Sequence, residues 1–390
     1  MLLINGQRAK KNGSDKPTIH LRLTPRFDSD GVCSLSVCLT VQSPEVAGDQ
    51  PMFLFDTFVD NVPCHPYKED DIKATDDQGP LSLLFHDIPS LNRNTQQEWR
   101  VTRPTSGDVC LKFEAYPRKV SAKTPLGARI DLRRDQGGLQ GVGRWFLPIL
   151  ISEQTYINVV EWDLPEDAPA STRCIWSLGE GPKPILRVGR SDTICRTVYM
   201  VGPVQSYPET IPEKQTDFSA CYWFGNLLPN LDRQKGVNTE LYPKMANHFG
   251  VTGESYRVFI RKSEVGFGGT GFLGSYVMEY DNQTREESDD SLLLFFTHEM
   301  VHSFTDLSHE ESGYDNDWFR EGEDSLCPSF SRERFTQLIH SYRYRGTLLN
   351  LSPIPLRHAG QRLPCNEYQQ PSTRVFLLPE NRHGHSRCYV

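Results

Sequence analysis

From Thr18 to about Gly202 the chain alternates apolar and polar positions in short runs, many of them rich in β-branched and aromatic residues. Period-two alternation of that kind predicts strands with one buried and one wetter face. The runs are Ile19–Phe27, Ser34–Val41, Met52–Val59, Leu81–Ile88, Glu98–Arg103, Cys110–Tyr116, Ile157–Trp162, Cys174–Leu178 and Thr193–Val201. No helix-period segment of useful length interrupts them, so an antiparallel β-sandwich or saddle over residues 16–204 is expected. Between Arg118 and Gly143 the chain is rich in glycine and arginine. A phosphate-binding loop would need a helix after such glycines. A strand-like WFLPILI follows instead, which leaves a long glycine-rich connection as the expectation.

After Pro203 the period changes. Asn230–Phe249 has helical spacing with a charged outer face despite Gly236 and Pro243, Ser255–Lys262 alternates strictly, and Gly274–Asp281 reads as a second strand. Ser288 is a good helix N-cap, Asp289 and Asp290 favour the helix dipole in the first turn, and the apolar run SLLLFFTHEMVHSF follows. The expected layer is helix, strand, strand, helix.

Composition narrows the class. Hydrophobic residues make up 37% of 390 and charged residues 24%, and mean hydropathy is −0.51, so the chain is neither disordered overall nor built to cross a membrane. Its start has the basic residues behind a three-residue apolar stretch, the reverse of a secretory signal, which leads to an expectation of a cytoplasmic protein. Net charge is −8, yet residues 326–390 carry nine Arg, no Lys, three Glu and no Asp. The ten cysteines are dispersed without a CxxC pair, so free and mostly buried thiols are expected.

The last helix contains His298-Glu299-Met300-Val301-His302, an HExxH motif. Residues four apart share a helix face, so both imidazoles can reach one metal ion. Zinc takes a third protein ligand. An HExxHxxGxxH site is excluded by Thr305 and Ser308, while His309, Glu310 and Glu311 read as surface residues. Glu321 stands 19 positions after His302, and the surrounding Trp318-Phe319-Arg320-Glu321-Gly322 is what adds specificity to that spacing.

HExxH-x18-E followed by Gly, with a tryptophan three residues before that Glu, resembles the gluzincin metallo-aminopeptidases, including aminopeptidase N and glycyl aminopeptidases. Trp162-Asp163-Leu164 and Trp176-Ser177-Leu178-Gly179-Glu180-Gly181 resemble the end of the β domain in glycyl-aminopeptidase-like proteins of the fungal type. The resemblance covers roughly residues 16–325. It implies a β domain followed by a thermolysin-like α/β catalytic domain over 205–325, one Zn2+ held by His298, His302 and Glu321, and Glu299 as the general base. The substrate implied is a peptide with a free N-terminus; no nucleic-acid or membrane partner is implied. Gly274-Ser-Tyr-Val-Met278-Glu279 lies where the family has a strand whose Glu anchors the substrate amine, although Val277 and Tyr280 depart from that pattern. Gly274, Met278 and Glu279 are thus candidate substrate-binding residues, with an ordinary exposed strand glutamate as the other reading of Glu279. Non-peptide amides, esters or epoxides are the alternative substrates, and an inactive truncated homologue is the alternative to an enzyme.

Beyond Gly322 the resemblance stops where a helical domain would follow. Residues 326–390 are expected to be either a disordered basic tail or a segment translated out of frame, and on the second reading the product would lack part of its cleft. Tyr342, Tyr344 and Tyr389 would supply an oxyanion-stabilising phenol only by accident of placement.

Overall fold

The computed structural model describes residues 16–304, apart from 89–93, 182, 213–214, 252, 265 and 302. The strand-rich first part forms three sheets around one core. A seven-stranded sheet runs in the order Ile185–Arg190, Thr155–Trp162, Thr18–Asp28, Gly31–Val41, Val109–Ala115, Lys73–Asp76, Gly79–Leu81. Alternation does what the pattern predicted: Ile19, Leu21 and Leu23 point inward, while His20 and Arg22 face out. Pairing is antiparallel except where Thr18–Leu23 meets Ile157–Trp162 in parallel register. That strand rejoins the sheet only after the chain has built most of the domain, so no hairpin constrains its direction.

The glycine-rich segment departs from expectation. It is no open connection: Arg133–Asp135 and Gly138–Val142 form a hairpin turning at Gln136 and Gly137, and all five residues of the second strand are buried. The strand-like WFLPILI begins as a helical turn, Gly143–Phe146, with only Ile149–Leu150 extended.

Gly202 ends the last strand of these sheets, and the next belongs to a different layer. Its five strands are β1 (Val204–Tyr207), β2 (Phe218–Phe224), β3 (Ser255–Lys262), β4 (Gly268–Phe272) and β5 (Ser275–Tyr280), arranged β1-β2-β3-β5-β4. β2, β3 and β5 run parallel, and antiparallel β1 and β4 close the two edges. β2, FSACYWF, is buried at all seven positions. A strand covered on both faces has no alternation to read, which hid it in the sequence. One helix was expected from Asn230 to Phe249, but there are two, α1 (Pro229–Gln234) and α2 (Val237–Phe249), with Lys235 and Gly236 between them. Gly250, in the left-handed region at φ 71°, caps α2 by donating its N–H to Ala246 and Asn247 carbonyls. α3 (Asp289–Val301) follows the sheet.

This sheet is a partition. Phe218, Ala220, Tyr222, Phe224, Phe259 and Val277 join the core of the β domain. The helices cover the other face, where Tyr256 of β3 stacks on Tyr242 of α2 and Tyr276 of β5 meets Phe295 and Phe296 of α3. The WSLGEG segment fastens the layers: Arg257 donates to the Ser177 carbonyl at 2.6 Å, Tyr222 donates to Glu180 at 3.0 Å, and Ser177 and Ser275 hydroxyls bond at 2.9 Å. The seven described cysteines are free; Cys64, Cys174, Cys195 and Cys221 are buried and Cys33, Cys38 and Cys110 half-buried. Among the described residues, no helix is long and apolar enough to cross a membrane.

Candidate active site

α3 is started and held as its sequence requires. The Ser288 hydroxyl accepts the Ser291 N–H at 3.1 Å, as an N-cap should. Arg233 of α1 pairs with Asp289 at 2.8 Å, and Asn230 donates to the Thr284 and Glu287 carbonyls. Leu292, Phe296 and Met300 are fully buried, while Ser291 and Leu294 are exposed and His298 half-buried. Positions 291, 294 and 298 share one stripe of the helix, so His298 stands on the face turned away from the core.

Glu299 points elsewhere. It is buried, and its carboxylate lies against Gly269 of the edge strand β4, where a β-carbon would be 2.9 Å from Oε1. Gly269 pairs with Met278 of β5, so Met278 also faces the helix side and is fully buried there. Tyr256 and Tyr276 form the floor, with ring centroids 6.1 Å apart. Burial, reinforced by the Glu299 charge, pushes both phenols well above their ordinary range. They stay protonated at neutral pH, giving the floor hydroxyl dipoles and no charge.

Glu279 is placed differently from either expectation. Along β5 successive side chains alternate, and Tyr276 and Met278 take the helix face. Glu279 therefore turns with Ser275 and Val277 toward the β domain, and it is 2% exposed rather than an exposed strand residue. Its Oε1 sits 2.7 Å from Arg261 and 3.1 Å from Arg133, while Arg129 lies 3.8 Å from Oε2. Arg261 also bonds Asp131 at 2.7 Å, and Asp131 takes Arg118 and Arg133 as further partners. Burial alone would raise the Asp131 carboxyl; Arg261, Arg133 and Arg118 outweigh it and hold the group below its usual value. Gly274, at φ 59°, turns the chain between β4 and β5.

Glu299 and Met278 thus lie on the helix side of the sheet and Glu279 on the other, while His298 stands on the outward stripe of α3. His302 and Glu321 lie outside the described residues, among which no group of three metal-ligating side chains occurs. The edge strand β4 was missed in the sequence. Its signal was there in Gly268-Gly269-Thr270-Gly271, since glycines in a strand mark a close approach by another group.

No family model matches the chain, and no curated protein matches it. Among solved structures, one with a TM-score above 0.5 shares the fold. An aminopeptidase N family protein from Idiomarina loihiensis is 16% identical, with a TM-score of 0.53, over 79% of this chain and 53% of that one. An M1 zinc metallopeptidase from Deinococcus radiodurans is 15% identical over 75% of this chain and 65% of that one, with a TM-score of 0.41. The chain spans about half the length of the first of these.

Proposed function

We propose that the chain carries a zinc-dependent hydrolase site of the aminopeptidase type, nearest in its motifs to the glycyl-aminopeptidase-like proteins. The observation that carries this is the position of Glu299: a buried carboxylate beside His298, laid against the edge strand of a mixed sheet. Among the described residues β4 pairs only with β5, so its outer edge offers backbone N–H and C=O groups to an extended peptide. A peptide added there would run past Glu299 at the level of Gly269.

The donor set fits zinc in its chemistry, two imidazoles at i and i+4 with a carboxylate further on. His298, His302 and Glu321 would hold the ion, which when bound polarises a carbonyl and acidifies water. Glu299 accepts the proton of the attacking water and returns it to the leaving amine. Glutamine there could orient water but accept no proton. Because Glu279 is committed to Arg261 and Arg133, substrate positioning falls on β4, and selection for a free amine rests on the family resemblance.

The test is a purified full chain assayed for metal and for release of a fluorophore from aminoacyl amides, with and without chelator. About one zinc per chain and chelator-sensitive hydrolysis are expected. Glu299→Gln should keep its zinc and lose turnover by about 10²–10⁴. No zinc in either protein would remove the reading. Equal cleavage of N-acetylated substrates would remove the aminopeptidase part and leave the hydrolase.

A further inference from the structure

The arginines around Glu279 are not balanced by it. Arg118, Arg129, Arg133 and Arg261 surround two carboxylates, Asp131 and Glu279, and all six groups are buried or nearly so, with Arg118 and Arg133 the most open at 14%. The four cations exceed the two carboxylates. Arg118 gives a single side-chain N–H, on Nη1, to Asp131. Arg133 gives Nε to Asp131 and Nη1 to Glu279. Among the described residues that leaves Nε and Nη2 of Arg118 and Nη2 of Arg133 without a protein acceptor.

Arg118 and Arg133 line a cavity of about 20 Å³ together with Ser121, Thr124, Ser263 and the Arg133-paired Glu279, and the exposed Glu264 also borders it. The space suits one occupant of water size. Excess cationic charge in a partly dry site is costly. It is relieved when an anion takes the remaining N–H donors, because charge-assisted bonds are roughly twice as strong as neutral ones. Glu264 makes no ion pair among the described residues, so it is the protein's own competitor for the place.

We propose that the cavity between Arg118 and Arg133 is a binding site for one small monovalent anion of the halide class. The occupant completes the ion network joining the β domain to β3 and β5, so its effect is on stability and is independent of any metal chemistry at Glu299. A bulkier or more strongly hydrated anion fits the space less well than a halide.

The experiment is thermal unfolding of the full chain at constant ionic strength, with sodium gluconate replaced stepwise by sodium chloride, and in a second arm by sodium acetate. Chloride should raise Tm saturably, by about 2–3 °C at tenfold over its Kd. Acetate should raise it less. Arg118→Gln should abolish the chloride-dependent rise, and Glu264→Gln should bring its midpoint to lower chloride. Identical Tm values in chloride and gluconate would overturn the proposal, as would an undiminished rise in Arg118→Gln. Acetate as effective as chloride would overturn the halide assignment in favour of a carboxylate headgroup. If Arg118→Gln does not fold, the Glu264→Gln midpoint decides: a shift to lower chloride supports the site, and an unchanged midpoint overturns it.

Discussion

Glu299 rests on Gly269 so closely that a β-carbon at 269 would stand 2.9 Å from Oε1 and 2.8 Å from Cζ of Phe295. The general-base candidate is therefore positioned by the absence of a side chain on the edge strand. Gly269→Ala must push Glu299 and Phe295 aside. Overpacking of this kind costs about 1–3 kcal/mol, and a displacement near 1 Å at a reacting group costs about 10² in rate. The expected result is a lower Tm, unchanged zinc content and turnover reduced about 10²-fold. Turnover equal to wild type in Gly269→Ala would show that Glu299 does not depend on this contact.

Gly138 holds the two layers together by the same means. A β-carbon there would fall 1.9 Å from Cε1 of Phe224, which is 1% exposed on β2. Neither the hairpin nor the sheet can move alone, because Gly138–Val142 pairs with Val198–Gly202 on one side and β2 pairs with β3 on the other. Gly138→Ala should destabilise by at least about 3 kcal/mol. Adding Phe224→Ala should cost less in the Gly138→Ala background than in wild type, a coupling that a double-mutant cycle of denaturation free energies reads directly.

Most of the β domain was legible because its strands are half-buried, and Ile19, Leu21 and Leu23 announce their face by alternation. α3 was legible for a different reason: Ser288, Asp289 and Asp290 mark its start chemically. β2 was not, since a strand buried on both faces carries no period. β4 was not, since its glycines read as a loop until Glu299 and Phe295 are seen to occupy the space that they leave. Glu279 shows the limit most clearly. Position along β5 says that it is near the cleft, but only the alternation anchored by Tyr276 on Phe295 and Phe296 says which way it points. His302 and Glu321 fall outside the described residues, so the ligand set stays a reading of spacing.

The ion network makes an acid-side prediction. Asp131 has its carboxyl held below the ordinary 3.8 by the three arginines. A depressed carboxylate contributes stability above its unfolded pKa and loses it as pH falls through the lower folded value. Removing the charge with Asp131→Asn strands buried arginines and should cost about 3–5 kcal/mol at neutral pH. The gap in Tm between wild type and Asp131→Asn should be constant from pH 7 to about 4.5 and shrink below about pH 4. A gap that persists undiminished at pH 2 would mean that the cost is one of shape and not of charge.

His65 predicts a second and separable loss nearer neutrality. Its Nε2 accepts the Tyr116 N–H at 3.1 Å, and its ring lies 4.1 Å from that of Tyr67 and edge-on to Trp145. Burial brings the imidazole down from 6.5 to about 4, against a weak opposing pull from Asp71. Protonation would also turn the acceptor Nε2 into a donor facing an N–H. Between about pH 6.5 and 4 the unfolded chain binds a proton that the folded one refuses, so stability falls with pH across that window and is flat above it. The shift corresponds to about 3 kcal/mol. His65→Gln keeps an acceptor and cannot titrate. Wild type should therefore lose more Tm than His65→Gln between pH 7.5 and 4.5, while Asp131→Asn tracks wild type over the same interval. Parallel curves for wild type and His65→Gln would place the proton elsewhere.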